Sequence, residues 1–189
     1  FSDILKREVA MCRQYSLSDD ALESLKGFDD FKPQTKNEII VSDFAPVFTL
    51  QGKKLKLSLK RFGFQRLDNT YLYNARIETV EEKNTFKDLY QKNRCLIPCS
   101  AFYEFDKYQK EHRFVQANGN AFYLLGLYRD DSFVILTIKG DDKVSFYHPR
   151  MPIAVRKETA LNFLKGQEFS LENRISLRCA DTSEMIPLF

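Results

Sequence analysis

The sequence predicts an α+β fold, in which a curved, barrel-like sheet of mixed or antiparallel strands carries a few peripheral helices. Between Ile39 and Thr137, short runs of β-branched and aromatic residues alternate with turn residues. Helical periodicity is confined to a few segments. No repeat, low-complexity tract or linker divides the 189 residues. We therefore expect one domain over residues 1–189, with a helical segment at 1–27 and a strand-rich body at 38–189.

The composition is that of a globular protein, because 43% of the residues are hydrophobic and 29% are charged. No apolar run is long enough to span a bilayer and no signal peptide opens the sequence, so we expect a cytoplasmic protein with no membrane partner. The net charge of +3 permits a polyanionic partner without requiring one.

The cysteines form no CxxC pair and have no histidine close by in the sequence, so we expect free thiols and no metal site. They are Cys12, Cys95, Cys99 and Cys179. Nothing in the sequence indicates a cofactor.

Helical segments are predicted from apolar periodicity and from residue types that begin and end helices. Ser2 and Ser18 are typical N-terminal caps, and Gly27 is a typical C-terminal stop. The predicted helices are Ser2–Tyr15, Ser18–Leu25, Glu78–Gln91 and Lys157–Leu164.

Strands are predicted where β-branched and aromatic residues lie between turn residues. The segments are Ile39–Val41, Val47–Leu50, Lys54–Arg61, Arg94–Pro98, Phe102–Phe105, Arg113–Gln116, Phe122–Tyr128, Phe133–Thr137 and Arg174–Cys179. In Lys54–Arg61 the residues alternate, so one face would be core and the other cationic. The predicted core face is Leu55, Leu57 and Leu59, and the predicted cationic face is Lys54, Lys56, Ser58 and Lys60. That cationic row is either an ordinary solvated face or a set of phosphate contacts.

Several polar residues stand where chemistry is possible. Glu104 lies in a run that otherwise indicates a buried strand, and aromatic neighbours should raise the pKa of its carboxyl group, which suits a general acid or base. The alternative is that its face of the strand opens to water. His148 lies in a segment whose backbone is restricted by Pro149 and Pro152, whereas His112 lies in a charged turn and is expected to be solvated. Asn74 and Arg76 share one side of another apolar run.

Five short motifs occur in a fixed order along the chain. They are APV at 45–47, FGF at 62–64, YNARIET at 73–79, RCLIPCSAFYEF at 94–105 and HPRMP at 148–152. They resemble the APV, WGF or WGL, NARxET, RCxIPxxGFYEW and H(D/E)RMP motifs of the SRAP (SOS response-associated peptidase) family. The resemblance covers the chain from about residue 38 onward. The chain departs from the pattern at Ala101, Phe105, Phe62 and Pro149, and Pro149 replaces an acidic neighbour of His148.

The resemblance implies a DNA-damage (SOS) response protein with the SRAP fold that binds single-stranded DNA and captures abasic sites. In this family an N-terminal cysteine reacts with the sugar aldehyde, first as a Schiff base and then as a thiazolidine. By motif, Asn74 would orient that cysteine, Glu104 would transfer protons and His148 would help to open the sugar ring. Glu104 would also assist autocleavage of any short leader, which gives the protein lyase and autopeptidase character.

The resemblance also implies which residues contact DNA. Arg76 would bind a phosphate and Arg150 would support the same pocket. Phe62 stands where the family often has tryptophan, and would either line the bases or fill the core. Lys56 and Lys60 are the remaining candidate contacts. We expect a monomer, associated with the nucleoid if the source is bacterial.

The identity of the nucleophile has two interpretations. In the first, residues 11–15 (MCRQY) correspond to the family's start, Met-Cys-Gly-Arg-Phe/Tyr, and Cys12 follows a removable leader. In the second, Phe1 follows a Cys-Gly-Arg that is missing from the sequence, and Cys12 is an ordinary helix residue. The helical periodicity around Cys12 favours the second. The rival functions are a non-enzymatic DNA-binding member that lacks the nucleophile and, more distantly, a cysteine peptidase.

Overall fold

The computed structural model of the protein describes residues 12–25, 37–141 and 143–180. Within these ranges the helices are α1 (Asp19–Leu25), α2 (Lys87–Lys92) and α3 (Lys157–Leu164), with short 3-10 turns at Ile77–Thr79 and Leu171–Asn173. The strands are β1 (Gln14–Ser16), β2 (Glu38–Ile40), β3 (Phe44–Gln51), β4 (Lys54–Phe62), β5 (Phe64–Gln65), β6 (Tyr71–Leu72), β7 (Asn74–Arg76), β8 (Arg94–Cys99), β9 (Ala101–Phe105), β10 (Glu111–Gln116), β11 (Phe122–Arg129), β12 (Ser132–Lys139), β13 (Arg150–Pro152), β14 (Ala154–Val155) and β15 (Leu177–Cys179).

The larger sheet curls into a closed ring. Strand β12 pairs in parallel with β4, β4 pairs with β3, β3 with β8, β8 with β11, and β11 returns to β12. Phe62 and Phe133 stack inside this ring with 5.1 Å between their centroids. Two short strands, β7 and β13, also pair with β12. Both lie beside its C-terminal half.

A second sheet has the order β15–β10–β9–β1–β2. Strand β8 of the ring ends at Cys99 and β9 of the second sheet begins at Ala101, so the chain passes from one sheet to the other within two residues. Strand β1 is central, because it pairs with β9 on one side and with β2 on the other. The α+β class with a curled, barrel-like sheet is therefore confirmed.

Most predicted elements are found close to their expected bounds, and α3 matches them at both ends. Ser18 caps α1 as expected, since its Oγ accepts a hydrogen bond from the backbone N–H of Ala21 at 3.3 Å. The predicted helix Glu78–Gln91 is wrong over residues 78–86, because a 3-10 turn and further turns precede the short helix α2. Gly27 lies outside the described residues.

The predicted helix Ser2–Tyr15 is wrong in its described part. Cys12 and Arg13 are irregular and Gln14 begins β1, while residues 2–11 lie outside the described residues. The periodicity around Cys12 misled because backbone pairing of β1 with β2 and β9 satisfies the N–H and C=O groups that a helix would have used. The segment 1–27 is thus not uniformly helical.

The prediction of a cationic row on β4 is wrong at one end. Lys60 is buried, its ammonium donates to the carbonyl of Asp130 and lies 4.8 Å from the centroid of the Tyr128 ring, whereas Leu59 is 39% exposed. Ring closure is the physical reason, because the face of β4 that carries Lys60 and Phe62 turns into the ring interior. Lys56, earlier on the same strand, is exposed.

Closure of the ring depends on a close approach at Gly126 of β11. A Cβ added there would lie 2.5 Å from Cδ1 of Ile97 and 2.7 Å from the carbonyl oxygen of Val134. We expect Gly126→Ala to lower the free energy of unfolding by about 1–3 kcal/mol through overpacking. Thermal unfolding should show a melting temperature lower by at least about 2 °C. Ser132→Ala in the same hairpin is the control, and equal melting temperatures for the two variants would contradict the close approach.

Candidate functional site

The carboxyl group of Glu104 is the centre of the site. Both of its oxygens accept the backbone N–H of Cys12, each at 3.1 Å, and Oε2 lies 3.7 Å from Nδ1 of His148. All three residues are buried, with exposed fractions of 0%, 0% and 1%. The structure therefore brings together a cysteine, a carboxyl group and an imidazole from three distant parts of the chain.

Strand alternation directs Glu104 into the interior. Phe102, on the same face of β9, stacks on Phe114 of β10 with 5.2 Å between the centroids, and neither ring is exposed. The alternative that this face opens to water is wrong. The register of β1 against β9, in which Gln14 faces Tyr103, then delivers the backbone of Cys12 to the carboxyl group.

Burial controls the protonation of both groups. Loss of solvation raises the pKa of Glu104 well above its ordinary value, and the hydrogen bond from the Cys12 amide offsets this only in part. Loss of solvation also raises the pKa of the Cys12 thiol, and the Glu104 charge adds to the effect. The thiol donates weakly to the carbonyl of Gln14, with Sγ and O 3.9 Å apart. Burial therefore favours the protonated forms of both groups.

The ring of His148 is held by a tight turn before β13. Its backbone N–H donates to the carbonyl of Val144 at 2.9 Å, and Gly140 donates to the carbonyl of Pro149 at 2.9 Å. A Cβ on Gly140 would lie 2.9 Å from the His148 carbonyl oxygen, so the turn needs a residue without a side chain there.

The hydrogen bonds of His148 indicate its tautomer. Nδ1 lies 2.8 Å from the carbonyl oxygen of Arg150 and 3.7 Å from Oε2 of Glu104, while the Arg150 N–H approaches it less closely, at 3.2 Å. A carbonyl only accepts, so Nδ1 carries the proton in the shorter contact. Nε2 of the ring is buried and has no hydrogen-bond partner within the described part of the chain. In the neutral ring, that nitrogen is the basic one.

Strands β7 and β13 bring the other motif residues to the same end of β12. Asn74 on β7 pairs in register with Ile135 and is 8% exposed, whereas Arg76 pairs with Thr137 and is exposed. On the other side of β12, Arg150 pairs with Lys139. An amide and two guanidinium groups thus belong to the strands that flank the terminal half of β12.

Arg150 is occupied by an intramolecular ion pair. Its guanidinium contacts both carboxylate oxygens of Glu78 at 2.8 Å and donates to the carbonyl of Thr137 at 2.9 Å. Partial burial raises the pKa of Glu78, but the hydrogen bond and charge of Arg150 and the hydrogen bonds from backbone N–H groups together outweigh it, so the pKa is lowered. The sequence analysis missed Glu78 as a partner, although it follows Arg76 closely in the same motif. Arg150 therefore fastens β13 to the 3-10 turn after β7.

Two of the residues predicted to contact DNA, Phe62 and Lys60, are buried in the structure. Phe62 is 0% exposed and packs between the rings of Phe133, Tyr15 and Tyr73, so it fills the core. Lys60 is buried as described above. Lys56 and Arg76 remain exposed cations.

The prediction that His112 is exposed to solvent is also wrong. It was expected to be solvated in a turn, but it lies on β10 directly opposite Glu104 and is 6% exposed. Its Nε2 lies 3.1 Å from Oδ2 of Asp106, and its ring centroid lies 4.3 Å from that of Tyr147. Because Tyr147 precedes His148, this packing supports the turn that carries the His148 ring. The charged neighbours of His112 in the sequence hid its burial.

The described residues contain no group of three or more His, Cys, Asp or Glu side chains arranged to hold a metal ion. No helix within these described residues has the length and apolarity needed to cross a membrane. All four cysteines are free thiols.

Comparison with known proteins gives consistent results. A family model described as "SOS response associated peptidase (SRAP)" matches residues 10–186. Abasic site processing proteins YobE and YoqW of Bacillus subtilis (strain 168) are 29% and 28% identical over 106 residues, which is 49% of this chain and 48% and 47% of theirs. The chain thus spans about half the length of the curated relatives it matches.

Solved structures share the fold. A protein from Bordetella bronchiseptica has a TM-score of 0.67 at 21% identity, covering 90% of this chain and 100% of the other. A protein from Bacteroides thetaiotaomicron has a TM-score of 0.67 at 15% identity, covering 89% and 91%. These likenesses concern the fold alone.

The raised pKa of Glu104 makes stability depend on pH. The folded protein holds this proton more tightly than the unfolded chain, so its stabilising contribution is full below about pH 4.3 and is lost as pH rises toward the folded-state pKa. The substitution Glu104→Gln removes the carboxyl group that titrates. Across that window we expect the free energy of unfolding of the native protein to fall, relative to the variant, by up to about 1.4 kcal/mol per pH unit.

Urea unfolding at several pH values between 4.5 and 7 measures this difference. Glu111→Gln, at an exposed position on β10, is the matched control and should leave the pH dependence unchanged. A native protein and a Glu104→Gln variant with parallel pH profiles would show that the carboxyl group is not desolvated.

Proposed function

Because the chain belongs to the SOS response associated peptidase (SRAP) family, we propose that it processes abasic sites in single-stranded DNA by linking them covalently to Cys12. The observation that carries the proposal is the pair of 3.1 Å contacts from the Cys12 backbone nitrogen to the Glu104 carboxyl group. This nitrogen is the atom that becomes the reactive amine once Cys12 is N-terminal. Relatives named abasic site processing proteins support the choice of substrate.

Two features favour Cys12 as the nucleophile over a cysteine that precedes Phe1. Cys12 is not part of a helix, and it is fully buried beside Glu104 and not on the outer face of a peripheral element. The strand that follows it, β1, is central in its sheet, so the position of Cys12 is fixed by pairing on both sides. Residues 11–15 then correspond to the family's start, with Arg13 and Gln14 replacing Gly and Arg.

The first step frees the amine of Cys12. The Cys12 thiol attacks the carbonyl carbon of Met11, and its proton passes through Glu104 to the nitrogen that leaves. Water then hydrolyses the resulting thioester, which gives a carboxylate on Met11 and a free amine and thiol on Cys12. Glu104 suits this transfer because it contacts the leaving nitrogen directly and burial keeps its pKa high.

The second step captures the sugar. The α-amine, whose ordinary pKa of about 8 leaves a fraction neutral, condenses with the aldehyde of the open abasic deoxyribose and releases water. The thiol then adds to the carbon of the Schiff base, and its proton moves to the nitrogen to complete a thiazolidine ring. The new ammonium group beside Glu104 also changes the electrostatics, because a nearby positive charge lowers the pKa values of the thiol and the carboxyl group.

His148 and the motif residues of β7 complete the proposal. The unprotonated Nε2 of His148 would accept the proton of the anomeric sugar hydroxyl and return it to the ring oxygen as the bond to that oxygen breaks, while Nδ1–H is held by the Arg150 carbonyl. Asn74 would orient the amine and thiol of Cys12. Exposed Arg76 and Lys56 would contact phosphates, and Arg150 would act indirectly by holding β13 in place.

A crosslinking assay tests the proposal. Protein whose N-terminus is verified by mass to be Cys12 is incubated with single-stranded DNA that carries one abasic site, and denaturing electrophoresis detects the adduct. We expect a denaturation-resistant adduct with the native protein and none with Cys12→Ala, because alanine lacks the thiol that both frees the amine and closes the stable ring. Cys179→Ala, another buried cysteine, is the matched control and should react normally.

The outcomes separate the rival functions. No adduct from protein with a verified N-terminal Cys12 would refute covalent capture. Salt-dependent DNA binding without an adduct would identify a binding protein, and turnover of added peptides would identify a peptidase.

Arg76 gives a prediction about DNA affinity. Removing one phosphate contact with Arg76→Gln should lower the slope of log affinity against log salt concentration by about 0.7 for single-stranded DNA, whatever the base sequence. Fluorescence anisotropy over a salt series measures the slope. Arg178→Gln, an exposed arginine on β15, is the control, and equal slopes for both variants would exclude Arg76 as a phosphate contact.

A further inference from the structure

A second concave site lies at the N-terminal end of α3. A cavity of about 510 Å³ opens between α1, the start of β11 and the N-terminus of α3, within the size range of small-ligand pockets, about 300–1,000 Å³. The charged side chains among its described lining residues are Arg156 and Lys157, and both are cationic. We propose that this cavity binds a nucleotide, with the phosphate on Arg156, Lys157 and the first turn of α3, and the base on Gln116.

The N-terminus of α3 supplies donors for a phosphate. Arg156 is the N-cap residue, with φ −75° and ψ 163°, and its side chain makes no capping hydrogen bond. The helix N-terminus carries partial positive charge from its unpaired N–H groups, and the cationic side chains of Arg156 and Lys157 add to it. A phosphate is the anion that this combination binds well.

Gln116 is the independent observation that points to a ligand. It ends β10, lines the cavity, and is only 7% exposed. Its backbone carbonyl accepts a hydrogen bond from Gly119, but its side-chain amide has no hydrogen-bond partner within the described residues. An amide that faces a cavity and has no protein partner is available to hydrogen-bond to whatever fills the cavity.

The remaining lining residues suit a nucleotide base. Asn118 and Asn120 lie in the turn that follows β10, and the partly buried ring of Tyr123 lies at the start of β11. Side-chain amides of Asn and Gln match the paired donor and acceptor of an adenine edge, and aromatic rings stack on bases. An anion clamp beside amides and an aromatic ring is therefore the chemistry of a nucleotide, and adenine is the base it suits best.

The cavity is distinct from the Glu104 site. On β10, His112 lies opposite Glu104 of β9, and Gln116 lies four residues farther along the strand. At about 3.3 Å per residue, the two positions are roughly 13 Å apart. None of the residues assigned to the covalent chemistry lines the cavity. The nucleotide is either free or part of a DNA strand bound elsewhere on the protein, and the phosphate and base are common to both.

Isothermal titration with defined probes tests the assignment. The probes are deoxyadenosine monophosphate, deoxyadenosine, inorganic phosphate and a short single-stranded oligonucleotide without an abasic site. The variants are Arg156→Gln and Gln116→Leu. Lys165→Gln is the control, since it removes the same charge at an exposed position beyond the C-terminal end of α3. Melting temperatures confirm that each variant is folded.

We expect the monophosphate to bind at least about tenfold more tightly than the nucleoside, because the phosphate makes charge-assisted hydrogen bonds. Arg156→Gln should weaken it by about tenfold or more and Gln116→Leu by about fivefold, while Lys165→Gln should not. If the monophosphate does not bind but the oligonucleotide loses affinity in both variants, the nucleotide belongs to a strand. Inorganic phosphate binding as tightly as the monophosphate, or affinities that are indifferent to Arg156, would overturn the proposal.

Discussion

The backbone nitrogen of Cys12 lies 3.1 Å from both oxygens of a carboxyl group that the fold has removed from water. The second sheet makes this contact, because it places β1 beside β9. The ring adds the third group, because β12 carries β13 and the turn around Gly140 holds His148 near the carboxyl group. A desolvated carboxyl group beside a peptide nitrogen is costly for stability, and we propose that it is used for proton transfer.

The site draws its residues from both sheets, because Glu104 and His148 lie far apart in the sequence. Glu104 belongs to the second sheet, whereas His148 belongs to a turn attached to the ring, and the 3.7 Å approach of their side chains joins the two. The ring of Tyr147 packs on His112, which lies opposite Glu104, so the joint is supported from a second side. The ion pair between Arg150 and Glu78 fixes β13 to the turn after β7. The structure thus gives Arg150 a supporting contact that motif comparison alone does not reveal.

The sequence predicted the residues that depend on local pattern and on motif order. The strands of the ring, helix α3, the burial of Glu104 and its closeness to His148 all follow from such signals. The predictions are wrong where contacts with residues distant in the sequence determine the local structure. Strand β1 replaced the expected helix because β2 and β9 satisfy its backbone, and closure of the ring turned Lys60 and Phe62 inward. The amphipathic pattern around Cys12 therefore obscured the position that carries the proposed chemistry.

The mass of the protein portion of an abasic-site adduct tests the central claim most directly. The full chain from Phe1 is allowed to react with abasic single-stranded DNA, the DNA is digested, and the protein portion is measured by intact-mass and peptide mapping. Our account predicts a protein that begins at Cys12, has lost residues 1–11 and carries the sugar remnant on Cys12. A stable adduct on a chain in which Met11 is still joined to Cys12 would contradict it, because an amide nitrogen cannot form a Schiff base.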